Sequence, residues 1–143
     1  MTDTTTPSVE QQLRIEARPD LVWEFWTEPA RLGEWWGTAT GTVAEVGGAF
    51  VVQMENGSVM RGEYTALDAP HHLAFTFGWD GDGLGAVVPA GSTRVEVSLT
   101  ADGDGTILTL RHFDLPQVTA SDHDQGWDRQ LAVLVTAAEA ATG

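Results

Sequence analysis

Two hydrophobic periods divide this chain, and the place where one gives way to the other constrains the fold more than any single motif. Through the middle, apolar residues recur at every second position. Leu73, Phe75, Phe77 and Trp79 share one side of an extended segment while His72, Ala74, Thr76 and Gly78 take the other, and Val95, Val97 and Leu99 alternate with Arg94, Glu96 and Ser98. A period of two is that of a strand with one face on a core. Near the C-terminus the period lengthens: Trp127, Leu131, Leu134, Val135 and Ala138 fall at helical spacing. A sheet with one hydrophobic face and a long amphipathic helix must bury those surfaces on each other.

The rest of the pattern fills in around that pair. Val9, Gln11, Leu13, Ile15 and Ala17 form one side of a first strand, with Gln11 as its impure position. Pro19 opens a helical stretch carrying Leu21, Val22, Phe25 and Trp26, and Pro29 opens a second short helix that leads into Trp35 and Trp36. Further strands are predicted over 40–45, 49–54, 58–68, 71–79, 92–100 and 106–113, divided by Gly47-Gly48, Asn56-Gly57, Asp68-Ala69-Pro70, a glycine-rich loop 80–91 and Asp102-Gly103-Asp104-Gly105. Ser121 with Asp124 predicts the start of the last helix, whose ~20 residues would span roughly 30 Å. The order strand, two short helices, meander, long helix gives an α+β fold with six to seven strands. Residues 1–8 are polar and aperiodic and read as a flexible tail, leaving 9–143 as one domain.

Composition removes several function classes. The chain has 7 basic residues, all arginine, against 21 acidic ones, a net charge of -14. A protein that neutralises phosphates needs the opposite balance, so nucleic acid is not an expected partner. There is no cysteine, which excludes disulfides, thiolate metal sites and a thiol nucleophile. The first residues carry no basic and apolar leader pattern, and no run of 18 apolar residues occurs, so a cytoplasmic protein with no membrane partner is expected.

Three blocks carry a family resemblance: Ala17-Arg18-Pro19-Asp20-Leu21-Val22-Trp23-Glu24-Phe25-Trp26-Thr27 with Pro29-Ala30-Arg31-Leu32 and Trp35-Trp36; the stretch from Gly62 to Phe77; and Thr106-Ile107-Leu108-Thr109-Leu110-Arg111-His112, followed by His123, Gly126-Trp127, Leu131 and Leu134. In this order they resemble the AHSA1-like branch (Hsp90 ATPase activator homologue-like) of the START/Bet v 1-like SRPBCC superfamily. The resemblance implies a helix-grip fold, a curved antiparallel sheet around a long C-terminal helix with a cavity between them. In related families that cavity takes apolar molecules, and some members are cyclases or hydrolases; fold alone does not choose among these. The chaperone role that names the branch uses a larger N-terminal domain for which this chain has no room, so that role is not expected.

No catalytic set emerges from spacing. The serines lack a nucleophile-elbow context and the four histidines are dispersed. The acidic turns 80–83 and 102–105 fail as calcium loops, because the twelfth positions are Gly91 and Phe113. No metal and no cofactor is expected. The candidate site is instead an apolar cavity. Trp35, Trp36, Trp79 and Trp127 offer large faces with one N–H each. Phe75, Phe77 and Leu131 lie on the inward faces. Of two possible phases for each of the next two strands, the one with Phe50, Val52 and Met54 and the one with Met60, Gly62 and Tyr64 are favoured inward, which adds Met54, Met60 and Tyr64. His112 continues the face of Leu108 and Leu110 and needs a partner there: a ligand, a water, or His123 or Asp124. The loop 80–91 is a candidate lid.

The expected function is binding of a small hydrophobic or aromatic molecule for carriage, sensing or sequestration, with a cofactor-independent cyclase or hydrolase as the alternative. The acidic surface favours neutral or cationic ligands. The chain is expected as a monomer or homodimer.

Overall fold

Alternating side chains produce the sheet where both flanking turns have glycine or proline to close them. The computed structural model describes residues 6–39 and 41–142. β1 (Val9–Ile15) is followed by α1 (Pro19–Thr27) and α2 (Pro29–Leu32), then β2 (Ala49–Gln53), β3 (Val59–Asp68), β4 (His72–Phe77), α3 (Leu84–Val87), β5 (Thr93–Asp102), β6 (Gly105–Phe113) and α4 (Gln117–Thr142). The six strands pair antiparallel in the order β1-β6-β5-β4-β3-β2. Every neighbour except β1 and β6 is joined by a direct connection, as a meander requires; β1 returns to the edge beside the last strand. Among the described residues no helix is long and apolar enough to cross a membrane.

The favoured strand phases are those observed: Phe50, Val52, Met60 and Tyr64 are sealed inside, together with Leu73, Phe75, Val95, Val97, Leu108 and Leu110. α4 crosses β1 and meets α1, which rests on β5 and β6. Between them Trp26 is fully buried, with its ring 4.8 Å from Trp35 and 6.2–6.3 Å from Trp36, Phe75 and Trp127. Burying side chains of this size dominates core energetics.

Three local expectations are revised. Of the segment 40–45, residues 41–45 are irregular and form no strand, and Thr40 lies outside the described residues. Gly41 has φ +81°, which interrupts an extended run. The chain is tied to β2 by single contacts instead, with Val43 N–H on Ala49 C=O and the Thr42 hydroxyl both donating to Val51 C=O and accepting from Val51 N–H.

α4 begins four residues before Ser121, at Gln117. Pro116 sits just outside, where its missing N–H costs nothing, and its carbonyl accepts from both the N–H and the hydroxyl of Thr119. Asp124 is therefore interior, and its oxygens accept from Gln11 Nε2 at 2.8 and 3.0 Å. The impure position of β1 is thus a strand-to-helix tie.

The strand expected over 71–79 stops at Phe77 because the chain after α3 passes against Gly78. A Cβ there would lie 1.8 Å from Pro89 O. Of the tail expected over 1–8, residues 1–5 lie outside the described residues; Ser8 is tied down, its N–H on His112 C=O and its hydroxyl accepting from Leu115 N–H.

Candidate functional site

The open end of the sheet, where β4 stops and α4 starts, leaves a cleft of about 190 Å³. Its floor is aromatic. Trp36 and Phe77 stack at 6.4 Å and an interplanar angle of 18°, and Trp127 lies 5.2 Å from Trp36 and 5.9 Å from Phe77. Trp79 and His123 form one wall, Met54 and Leu84 add apolar surface, and Asn56, Ser58, Asp122, Arg129 and Gln130 stand around the mouth. A wider open groove of about 720 Å³ adjoins it between α4 and the segment after α2.

The polar atoms of His112, His123, Trp79 and Trp127 at the back of this cleft are already paired. Thr93 donates its hydroxyl hydrogen to Phe77 C=O at 2.7 Å, so toward His112 Nε2, 2.8 Å away, it can only accept. His112 therefore carries its proton on Nε2, and its Nδ1 accepts from Trp127 Nε1 at 3.0 Å. Burial, reinforced by nearby His123, pushes His112 down to about 3. Its partners are Thr93 and Trp127, and both nitrogens are committed. His123 repeats the arrangement one turn along: its Nε2 accepts from Trp79 Nε1 at 3.1 Å, and its Nδ1, 2.9 Å from Thr119 C=O, donates there.

Two predicted cavity residues are engaged elsewhere. α1 ends at Thr27, the chain turns out at Glu28, and Pro29 has no N–H, so the last carbonyls of the helix lack donors. Trp35 Nε1 donates to Phe25 C=O at 2.7 Å, and Tyr64 OH donates to Trp26 C=O at 2.8 Å. Burial pushes the Tyr64 hydroxyl well above its usual range. Both aromatics cap α1 from the side.

Of the eleven residues singled out in the sequence, Trp36, Met54, Phe77, Trp79 and Trp127 come together on the cleft, and Trp35 lines the adjoining groove. Met60, Tyr64, Phe75, His112 and Leu131 stand behind this surface, each no more than 1% exposed. Sequence reasoning missed the rim and Gly126. The signal was present in α4: Asp122, His123, Gly126, Trp127, Arg129 and Gln130 recur at three- and four-residue intervals and so share one helical face. Among the described residues no group of His, Asp or Glu side chains converges to hold a metal ion.

A family model described as "Activator of Hsp90 ATPase homolog 1-like protein" matches residues 16–139. Solved structures agree. The chain is similar to an AHSA1-like protein from Rhizobium etli (34% identity, TM-score 0.69, covering 91% of this chain and 81% of that one). It is also similar to CalU16 from Micromonospora echinospora (25% identity, TM-score 0.71, 88% and 70%). The Aha1 dimer from Colwellia psychrerythraea shares the fold at 19% identity (TM-score 0.74, 94% and 98%). A search of curated proteins gave no significant match. With the blocks, the six-stranded sheet and the long helix all in the family's arrangement, the chain belongs to the Activator of Hsp90 ATPase homolog 1-like family, the AHSA1-like branch of the SRPBCC superfamily.

Proposed function

We propose that the cleft binds a small aromatic or apolar molecule, as a carrier, sensor or sequestering protein. The observation that carries this reading is Gly126. Glycine inside a helix is less favourable than alanine by ~0.8–1.0 kcal/mol. A Cβ at Gly126 would have nothing within 4 Å, so no packing constraint requires glycine there. What the missing side chain does is leave room, because Gly126 lines the cleft beside Trp127. The pairing of His112, His123, Trp79 and Trp127 supports the same reading, since a wall with its inner donors and acceptors satisfied takes an apolar body without leaving polar groups stranded. The enzyme alternative draws no support from these groups: both His112 nitrogens and the Tyr64 hydroxyl are engaged.

The test is 2-naphthamide, a neutral two-ring probe, followed by tryptophan fluorescence and by thermal shift. Saturable quenching with a raised Tm in the native chain, lost in Gly126→Leu, is the expected result. Quenching that persists unchanged in Gly126→Leu, or no binding of this probe and of a panel of one- and two-ring arenes, overturns the reading.

A further inference from the structure

The seven arginines are the only fixed cations of the chain, and six of them have a carboxylate within 4.0 Å. Among the described residues Arg129 alone has none, and it stands where the cleft meets the groove, lining both. Two more donors share that junction. Asn56 turns its amide oxygen onto Ser58 N–H at 2.9 Å, which leaves its NH₂ free. Trp36 is only 5% exposed and donates its indole N–H to no acceptor among the described residues; it is also not one of the sealed, unpaired nitrogens, which among the described residues are Trp26 Nε1 and Arg94 Nε. The Trp36 N–H is therefore not sealed, and Trp36 lines both the cleft and the groove. Gln130 Nε2 is already spent on Trp35 C=O at 2.7 Å.

Resting on the reading of the cleft as a binding site, we infer that its ligand is an arenecarboxylate. The ring system lies on Trp36, Phe77 and Trp127, and the carboxylate points to the junction that Arg129, Asn56 and Trp36 all line. The chemistry fits each part. A guanidinium and a carboxylate pair through two parallel N–H···O bonds, and the remaining lone pairs take the amide and indole hydrogens. A cleft of about 190 Å³ suits one or two fused rings and little more. The net charge of -14 opposes anions at long range and sets the bias toward neutral or cationic ligands. That field is screened beyond ~8–10 Å at ordinary salt, whereas Arg129 acts at contact. No carboxylate among the described residues lies within 4.0 Å of it: Glu34 and Glu55 line the groove and not the cleft, and Glu34 already holds Arg31 at 3.1 Å. Asp122 lines the cleft and not the groove, and stands about two helical turns before Arg129 on α4.

The experiment compares 2-naphthoate with 2-naphthamide, which share the ring system and differ in charge, on the full chain at pH 7.5 by tryptophan fluorescence titration. The expected result is a preference for naphthoate of about fivefold, the range of one exposed but well-oriented ion pair. Arg129→Lys, which keeps the charge and loses the two-pronged pairing, should keep only part of that ratio, and Arg129→Gln should bring it to about one. The indole N–H resonance of Trp36 should shift further with naphthoate than with naphthamide, whose rings lie on the same indole. Equal binding of the two probes, or a ratio that survives Arg129→Gln, overturns the arenecarboxylate assignment. Binding of the amide without preference for the acid leaves the cleft as a binding site and removes only its charge selectivity. Failure of both probes and of the wider arene panel removes the binding reading and this inference together.

Discussion

Trp127 and His112 are joined by a hydrogen bond of 3.0 Å in which the indole N–H donates to Nδ1 of a fully buried imidazole. The bond exists only while His112 is neutral, since a proton on Nδ1 would face the indole hydrogen. His112 is held down to about 3 in the fold against an ordinary value of 6.5. Below 6.5 the unfolded chain takes up a proton that the folded chain refuses, so this residue's contribution is complete above about pH 6.5 and declines as pH falls toward 3. Urea denaturation at pH 7.5 and pH 5 should show a loss on the order of 2 kcal/mol from this source at the lower pH. In His112→Gln that loss should be much smaller, although the variant is less stable at pH 7.5.

Gly126 predicts an unusual pair of effects. Gly126→Ala should raise stability by about 0.5–1 kcal/mol, because the added methyl has open space and the helix gains propensity. Gly126→Leu should retain a stable fold and lose 2-naphthamide binding. Chemical denaturation with a binding titration on both variants checks this. A destabilised Gly126→Ala would show that the glycine answers a demand of the backbone.

The caps on α1 predict stability effects without binding effects. Tyr64→Phe removes the donor to Trp26 C=O and should cost roughly 1–2 kcal/mol. Trp35→Phe strands Phe25 C=O, for which Pro29 offers no replacement, and should cost roughly 1–3 kcal/mol before lost packing is added. Neither hydroxyl nor indole N–H reaches the cleft, so naphthamide affinity in Tyr64→Phe should match the native chain within about twofold.

Gly78→Ala is a steric prediction. The new methyl would stand 1.8 Å from Pro89 O and 2.7 Å from Ala90 Cα, both backbone, so segment 87–91 must move away. Overpacking of this kind costs roughly 1–3 kcal/mol. The displaced segment follows directly on α3, whose Leu84 borders the cleft. Hydrogen exchange should therefore rise at Trp79 N–H, which bonds Val88 C=O at 2.9 Å in the native chain.

The fold was legible because its two periods belong to long segments. Leu73, Phe75 and Phe77 face the core as their alternation required, and the phases chosen for Phe50 and Tyr64 hold for the same reason. Boundaries were less legible where a single side chain replaces regular pairing. Thr42 substitutes for a ladder at segment 40–45, and Pro116 lets α4 start before the capping-box-like Ser121.

The candidate site was legible as a collection of aromatics but not as an arrangement. Trp35 and Trp36 are adjacent and chemically alike, yet one caps a helix and the other lines the cleft. That difference depends on where Pro29 leaves a carbonyl without a donor, a relation no local pattern records. The α4 face from Asp122 to Gln130 was readable in principle, since its spacing is helical and an interior glycine stands in it without a turn to serve.

The pairing of the inner wall bears on how this protein can diverge. Trp127, His112, Thr93 and Phe77 form a chain of hydrogen bonds that fixes the back of the cleft, and substitution at any of its side-chain members disturbs the fold. Asn56, Asp122 and Arg129 are exposed and hold up no part of the core. On the proposed reading of the cleft as a binding site, replacing them alters which molecules are admitted with little change in stability. Selection for a new ligand can thus act on the mouth while the interior stays constant, so close relatives should differ in preference before they differ in architecture.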